Sequence, residues 1–146
     1  VHLYRFILES QGAREGQERQ GRQEPTGMAE WMQSDEPAAA IWHYAASGES
    51  PLCGLAVELF LRLYGAEAGN LALQTMATGG LYIGGGIAPK VLDWMRRGTF
   101  IEAFRAKGRM RPLLEAMPVR VILNPQAALL GAARYAALRE GARINI

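Results

Sequence analysis

The chain has 146 residues and a mass of 16.0 kDa, which corresponds to one domain or to part of one. Its net charge of +2 gives no general case for a nucleic acid or a membrane surface as a partner. No run approaches the roughly 18 uninterrupted apolar residues of a membrane span, and no signal-peptide pattern stands at the start, so we expect a cytoplasmic protein.

The first part of the chain is predicted to contain a short helix followed by a mobile loop. Leu3 to Glu9 show a helical apolar pattern, whereas residues 10–27 are rich in Gln, Gly, Arg and Glu and offer almost nothing to bury. The sequence starts without Met and inside an apolar pattern, although natural N-termini are usually polar. We therefore expect that it begins inside a longer protein.

Three helices are predicted before the first strand. A short helix over residues 27–34 is followed by one over residues 37–48, which has a proline at its first position. Ser50 and Pro51 begin a third helix in the same way, and this helix continues towards Met76. Because apolar residues surround it almost completely, we predict that it is buried between a sheet and other helices.

Two short strands are predicted in the second half of the chain. They are Leu81–Ile83 and the β-branched run Val119–Leu123, which is typical of a buried strand. The predicted fold class is therefore α/β, rich in helices and with few strands. Since two strands cannot form a sheet that is stable alone, we expect the missing strands to lie upstream or to come from another chain.

Between the strands, three helical segments are predicted. Pro89 opens the first, over residues 89–97. Thr99 and Glu102 form a capping pair for the second, which ends at Gly108, and the third covers residues 111–116.

One last helix is predicted after the second strand. Asn124 is expected to cap it, Pro125 occupies its first position and Gly141 ends it. Its many small residues favour close packing against a sheet.

Basic residues are concentrated between Lys90 and Arg111, where seven basic side chains accompany two acids. Two interpretations are open for this segment. It is either a solvated face of helices, which is the commoner origin of such charge, or a surface near an anionic ligand.

The most informative motif is the glycine-rich run from Gly79 to Pro89, in which a short strand lies between two glycine clusters. Strand, glycine turn and helix is the arrangement with which many α/β proteins hold a nucleotide. No Gly-Lys-Ser/Thr follows, which excludes a P-loop, and Pro89 stands where a dinucleotide fingerprint needs its third glycine. A tight turn is the simpler alternative, but three consecutive glycines favour close approach of a ligand.

Other chemistry-bearing residues are predicted to have structural roles. Cys53 lies in an apolar helical pattern and reads as a buried thiol, and His2 and His43 are expected at packing or surface positions. One cysteine and two histidines do not form a recognisable metal site. The acids show no paired pattern, so no general base is evident.

Four segments, in the same order, resemble bacterial glucokinases. They are Tyr64–Leu73, Gly79–Lys90, Phe100–Met110 and Leu123–Ala133. Residues 3–5, Leu-Tyr-Arg, also resemble the start of a helix in that family. The resemblance extends from about residue 3 to residue 139 and fades in the loop at 10–27, and by it the chain is identified as the C-terminal part of such an enzyme.

The resemblance implies an ATP-dependent hexose kinase of the actin-like, ribonuclease-H-like superfamily, with its active site between two α/β domains. Residues 1–146 would form the C-terminal part of the larger domain. The full enzyme would transfer the γ-phosphoryl group of ATP to the 6-hydroxyl of glucose with the help of Mg²⁺. Enzymes of this family are commonly homodimers.

The resemblance also implies a partial nucleotide site. The backbone of Gly84, Gly85 and Gly86 would approach the adenosine part of ATP, and Ile87 and Pro89 would shape the pocket around it. The family's phosphate loop, catalytic Asp and sugar-binding residues are expected upstream of the first residue. We therefore assign no catalytic or metal-binding residue and expect this piece alone to be inactive.

Two alternatives belong to other functional classes. One is a sugar-sensing domain of a repressor–kinase family, although a single cysteine argues against the Cys-rich zinc motif of those proteins. The other is a free-standing dimerisation module that associates through exposed helices. Nucleotide binding would distinguish both from the kinase interpretation.

Overall fold

The computed structural model describes residues 1–14, 25, 27–33 and 36–139. Within these residues the first half of the chain is helical, and the second half holds two short strands among short helices. The helices are α1 His2–Arg14, α2 Met28–Met32, α3 Pro37–Ser47, α4 Pro51–Gln74, α5 Ile87–Lys90, α6 Leu92–Met95, α7 Thr99–Arg105, α8 Arg111–Ala116 and α9 Ala127–Arg139. A 3₁₀ turn covers Gly108–Met110, and the strands are β1 Leu81–Ile83 and β2 Val119–Val121.

Helix α1 is longer than its apolar pattern predicts. It continues to Arg14, so residues 10–14, which were assigned to a mobile loop, are helical instead. Composition alone misses this extension because a helix that is already nucleated propagates through polar residues at little further loss of free energy. Within the remainder of the predicted loop, residues 15–24 and 26 lie outside the described residues.

Proline and cap signals place the starts of α3 and α4 correctly. Pro37 and Pro51 each stand in the first turn, and Gly48 ends α3 with a left-handed φ of 76°. The Ser50 hydroxyl accepts a hydrogen bond of 3.2 Å from the backbone N–H of Cys53, which satisfies one free donor at the start of α4. Ser50 itself is buried.

The predicted helix over residues 89–97 is wrong. Two short helices, α5 and α6, occupy this segment and are separated at Val91, where φ is −110° and ψ is 14°. Ala88, Val91 and Met95 are all buried, so the break allows both short helices to face the core. The requirement comes from packing and leaves no signal in the local sequence.

The capping pair predicted for α7 is also absent. Gly98 occupies the cap position with φ 102°, no side chain makes a capping hydrogen bond there, and α7 ends at Arg105 rather than at Gly108. Because Thr99 is already the first helical residue, its hydroxyl is not in the cap position. The Glu102 carboxylate instead faces Arg111 at 3.2 Å.

Strands β1 and β2 form a two-stranded parallel sheet. Leu81, Tyr82 and Ile83 pair with Val119, Arg120 and Val121 respectively. The hydrogen-bond ladder extends one step further through the Ile122 N–H and the Ile83 carbonyl, at 2.9 Å. One face packs on the core, whereas Tyr82 on the other face is 62% exposed and lies beneath the Arg120 guanidinium.

Helices α4 and α7 cross closely at the centre of the core. A Cβ atom on Gly65 would collide with the Phe100 carbonyl, and one on Gly69 with the Phe104 carbonyl. Lys107 stabilises the same crossing, since its Nζ donates a hydrogen bond to the Ala66 carbonyl at 2.7 Å. The crossing therefore depends on glycine at two successive turns of α4.

Burial of α4 on all sides, as predicted, is wrong. The helix buries one side, but Leu55, Leu63 and Leu71 are 42%, 52% and 47% exposed. None of the helices in the described part of the chain has the length and hydropathy needed to cross a bilayer.

Helix α9 differs most from expectation. Asn124 Oδ1 accepts from the Gln126 N–H at 2.9 Å, as a capping residue does, but Pro125 and Gln126 form a turn and the helix begins at Ala127. The predicted packing of α9 against a sheet is wrong for the described chain, because none of its residues is buried. Its predicted end at Gly141 lies outside the described residues.

Candidate nucleotide site

The glycine loop lies where β1 ends. Gly84, Gly85 and Gly86 are exposed, and Gly85 has a φ of 100°, a left-handed conformation that favours glycine. A Cβ on Gly85 or Gly86 would meet nothing within 4 Å, and one on Gly84 would meet only Ile122 Cδ1 at 3.6 Å. The loop thus presents bare peptide groups to open space, which a tight turn packed on the fold would not do.

Parallel pairing places the end of β2 at the same edge as this loop. In α/β folds with parallel strands, ligands bind outside the carboxyl ends of the strands. Asn124 lies at this edge, but its side chain already accepts the hydrogen bond from Gln126. The side chain of Asn124 therefore stabilises the turn before α9 rather than capping the helix itself, and it gives no support for a ligand role.

Two apolar pockets flank Ile87, the residue that follows the loop. Pocket A, of about 220 Å³, lies among α1, α3, α4 and Ile87, and its walls include Leu3, Tyr4, Ile41, Val57 and Phe60. Pocket B, of about 480 Å³, lies between the start of α3 and α5, and its walls include Pro37, Ala39 and Val91. Ala38, Trp42 and Ile87 belong to both pockets, so the two spaces share a wall.

The linings of pockets A and B differ in their charged side chains. Glu36 from the start of α3 and Lys90 from the end of α5 are in its lining, whereas the lining of pocket A carries no charged side chain. An apolar slot with a few polar groups at its rim suits a flat, uncharged ring that has hydrogen-bonding edges. A nucleobase has this chemistry.

Aromatic contacts hold the shared wall in place. Trp42 meets Phe60 edge to face with ring centroids 6.0 Å apart, and meets Trp94 in the same way at 6.5 Å. The Arg97 guanidinium lies 3.7 Å from the centre of the Trp94 ring. These contacts restrict the rotamers of Trp42 and give the pockets a defined shape.

The predicted site residues differ in their position relative to the two pockets. Ile87 is 56% exposed and lines both pockets, and the three glycines form the open loop beside it. Pro89 is half-buried within α5 and is in the lining of neither pocket. Sequence reasoning missed Glu36 and Trp42, which only the proximity of α3 to α5 could have identified, and it noted Lys90 only as part of the basic segment.

Most of the basic segment is occupied by contacts within the chain. Arg111 bonds to Glu115 at 2.8 Å and to Glu102 at 3.2 Å, and these hydrogen bonds raise the pKa of the Arg111 guanidinium. Arg96 pairs with Asp93 at 3.3 Å, and Lys107 Nζ contacts Asn70 Oδ1 at 2.6 Å. The contacts favour the solvated-face interpretation, with Lys90 as the member that reaches a pocket.

Residues predicted to have structural roles are found in them. Cys53 is fully buried, and His43 is exposed and stacked on Trp31 with ring centroids 6.3 Å apart. In the described ranges, no three His, Cys, Asp or Glu side chains lie close enough together to hold a metal ion.

Comparison with known proteins identifies the family. The glucokinase family model matches residues 1–139. The chain is 47% identical to a glucokinase of Trichormus variabilis over 142 residues, and 50% identical to one of Synechocystis sp. over 100 residues. The chain therefore belongs to the glucokinase family, as its motifs predicted.

A solved structure agrees with this assignment. The crystal structure of a glucokinase from an Antarctic psychrotroph superposes with a TM-score of 0.67 at 31% identity and covers 90% of this chain. The chain spans 41% of the Trichormus protein and 35% of the crystallised one. This share agrees with the prediction that it corresponds to the C-terminal part of those enzymes.

Proposed function

We propose that this chain forms the C-terminal part of the larger domain of an ATP-dependent glucokinase with the actin-like, ribonuclease-H-like fold. The full enzyme transfers the γ-phosphoryl group of ATP, held with Mg²⁺, to the 6-hydroxyl of glucose. Membership of the glucokinase family supports the reaction. The assignment as a homodimer rests on the resemblance alone, and the cytoplasmic location rests on the sequence pattern alone.

The contribution of this chain is the adenosine side of the nucleotide site. The observation that carries this proposal is the open loop Gly84–Gly86 beside the pockets that share Ile87 and Trp42. The glycines leave room for the nucleoside to approach the backbone, and the apolar walls exclude water from the base. ATP supplies the phosphoryl group when it is bound.

Calorimetry with a non-hydrolysable ATP analogue tests the binding role. We expect the unmodified chain to bind and Gly85→Val to weaken binding at least tenfold, because valine strains the backbone at φ 100° and fills the open space. Gly98→Val is the matched control, since Gly98 has φ 102°, no neighbour within 4 Å of its added Cβ and no place in the loop. Equal loss in both variants would contradict a role for the loop.

A turnover measurement tests whether the isolated chain, which is proposed to bind nucleotide, also lacks catalytic activity. No general base, phosphate loop or sugar-binding motif is evident in the sequence, so the isolated chain should form no ADP in the presence of ATP, Mg²⁺ and glucose. Glucose-dependent ADP formation above the rate of a heat-inactivated sample would refute this expectation. Nucleotide binding without turnover is the predicted combination.

A further inference from the structure

A further space in the described chain lies beside the crossing of α4 and α7, and we call it the arginine groove. Its volume is about 470 Å³. Arg62 of α4, Thr99 and Glu102 of α7 and Arg111 of α8 line it, and three alanines complete the lining. Charged and polar groups therefore dominate this groove, whereas the walls of pockets A and B are mainly apolar.

The arginine groove opens on another side of α4 from pocket A. Arg62 and Ala66, one turn apart, face the groove, whereas Val57 and Phe60 of the same helix face pocket A. At 3.6 residues per turn, these two pairs point in roughly opposite directions. A ligand in the groove therefore does not occupy the space that we assign to the nucleotide.

Three side chains in the groove have hydrogen-bond donors to spare. The side chain of Arg62 makes no ion pair or hydrogen bond to the described residues. The Thr99 hydroxyl is equally unengaged in that part of the chain, because the capping contact expected for it does not form. A guanidinium has five N–H donors, and Arg111 uses two of them, one to Glu115 and one to Glu102.

The charges around the groove favour an anion. Three cations, Arg62, Arg105 and Arg111, stand against two anions, Glu102 and Glu115, which leaves a charge of +1. Arg105 is outside the lining, but its guanidinium lies 3.9 Å from the Glu102 carboxylate. Both carboxylates are thus already paired with guanidinium groups, whereas the charge of Arg62 is uncompensated within the described residues.

Close packing holds the walls of the groove in place. The carbonyl of Phe100 occupies the space beside Gly65, and a Cβ on Gly65 would lie 3.2 Å from the Cβ of Ala103, a lining residue. Helices α4 and α7 therefore cannot slide past each other without a clash. The backbone positions of Arg62 and Thr99 are fixed before any ligand arrives, so their ordering costs little on binding.

We propose that the arginine groove binds a small phosphate monoester. Such a group carries a charge of about −1.5 to −2 near pH 7 and has three acceptor oxygens, which suit donors from Arg62, Thr99 and Arg111 on three helices. Guanidinium forks match the geometry of phosphate. The groove is larger than a phosphate group, and its alanines leave an apolar surface for the carbon skeleton of the ester.

An NMR titration of the ¹⁵N-labelled chain tests the ligand class. The probes are glycerol 3-phosphate, inorganic phosphate, glycerol and acetate, each at the same ionic strength. We expect glycerol 3-phosphate to bind most tightly and to shift the amide signals of Arg62, Thr99 and their neighbours, inorganic phosphate to bind there more weakly, and glycerol not to bind. No binding of glycerol 3-phosphate, or equal affinity for acetate, would overturn the proposal.

Removal of the uncompensated charge tests the site. Arg62→Gln should weaken binding of glycerol 3-phosphate at least tenfold, because it removes charge-assisted hydrogen bonds. Arg109→Gln is the matched control, since Arg109 is exposed, outside the lining and without an ion pair to the described residues. It should leave the affinity unchanged within about twofold. Equal loss in the two variants would show general attraction of anions and would overturn the site.

Two further variants test the geometry with different signs. Thr99→Val keeps the shape and the charge but removes the hydroxyl, and should weaken binding at least threefold. Glu102→Gln removes a carboxylate from the lining and releases a donor of Arg111, so it should strengthen binding at least threefold. Unchanged or weaker binding by Glu102→Gln, in a variant with the circular dichroism of the unmodified chain, would contradict the proposal.

Gly85→Val separates the groove from the nucleotide proposal. We expect this variant to bind the ATP analogue more weakly but to bind glycerol 3-phosphate as the unmodified chain does. Loss of both ligands would place the phosphate monoester in the nucleotide site and overturn the groove. Binding of glycerol 3-phosphate by a chain that does not bind the ATP analogue would support the groove and count against the proposed function.

Discussion

Glycine has two distinct uses in this chain, and the residues around each one separate them. Gly65 and Gly69 lie in the middle of α4, where glycine normally weakens a helix, because the carbonyls of Phe100 and Phe104 occupy the space of a Cβ. Gly84 to Gly86 lie at the surface with open space around them. The first pair is therefore explained by packing, whereas the second group needs another explanation, which the nucleotide proposal supplies.

Substitution on α4 should show this difference in stability. We expect Gly65→Ala to lower the free energy of unfolding by about 1–3 kcal/mol, because the added methyl collides with backbone that cannot move aside alone. Gly54→Ala on the same helix should raise it by up to about 1 kcal/mol, since its Cβ meets nothing within 4 Å. Urea unfolding followed by circular dichroism measures both. Equal effects would disprove the close crossing.

Lys107 adds polar contacts to the crossing of α4 and α7. Its Nζ donates to the Ala66 carbonyl at 2.7 Å and to Asn70 Oδ1 at 2.6 Å, and its Cε lies where a side chain on Gly69 would extend. Lys107→Met should therefore lower the free energy of unfolding by about 1–2 kcal/mol. Lys90→Met, at an exposed position, should change it by less than about 0.5 kcal/mol in the same urea titration.

At the scale of elements, α4 and α7 are joined by aromatic rings as well. Tyr64 meets Phe100 edge to face at 5.4 Å and lies 5.6 Å from Phe60. Partial burial raises the pKa of the Tyr64 hydroxyl above its ordinary value. The folded state therefore holds this proton more tightly than the unfolded state, and the associated stability is complete below the unfolded pKa and is lost as the pH rises through the folded one.

An alkaline titration should detect this coupling. Between pH 9 and about pH 11, the melting temperature of the unmodified chain should fall more steeply than that of Tyr64→Phe, which has no proton to release. Parallel curves for Tyr64→Phe and the unmodified chain would contradict the assignment.

The sequence predicts the end of a helix correctly when the residues that determine it lie within one turn of that end. Pro37, Gly48 and the Ser50-Pro51 pair act within a single turn, and the helix ends that they predict are correct. The break at Val91 depends on the packing of buried side chains in the core, so no pattern in the neighbouring sequence predicts it. The glycine loop of the candidate site was evident as a motif, whereas the Trp42 wall depends on α3 packing near α5, some forty residues away in sequence.

At the scale of the whole molecule, stability should be distributed unevenly. The core is built on α4, which buries Cys53, Ala56, Val57, Leu61, Ala68 and Ala72, whereas α9 buries none of its residues. The small residues of α9 favour packing against a sheet, but no surface in the described part of the chain covers this helix. Local opening is easiest where few apolar contacts must be broken.

Amide hydrogen exchange should map this difference. Backbone amides of α9 should exchange at least a hundredfold faster than those of Leu61–Ala72, because opening α9 exposes almost no new apolar surface. Mass spectrometry of peptic peptides from the isolated chain gives both rates in one experiment. Similar protection in the two helices would show that α9 is covered in solution.

The position of Trp42 has an optical consequence. Its indole forms part of the wall common to both pockets, while Trp31 stacks on His43 and Trp94 lies under the Arg97 guanidinium. Any molecule that enters either space displaces water from the Trp42 ring, and indole emission shifts to shorter wavelength when its surroundings become less polar. The chain therefore carries a built-in fluorescent reporter of occupancy, and Trp42→Phe would remove the response of this indole.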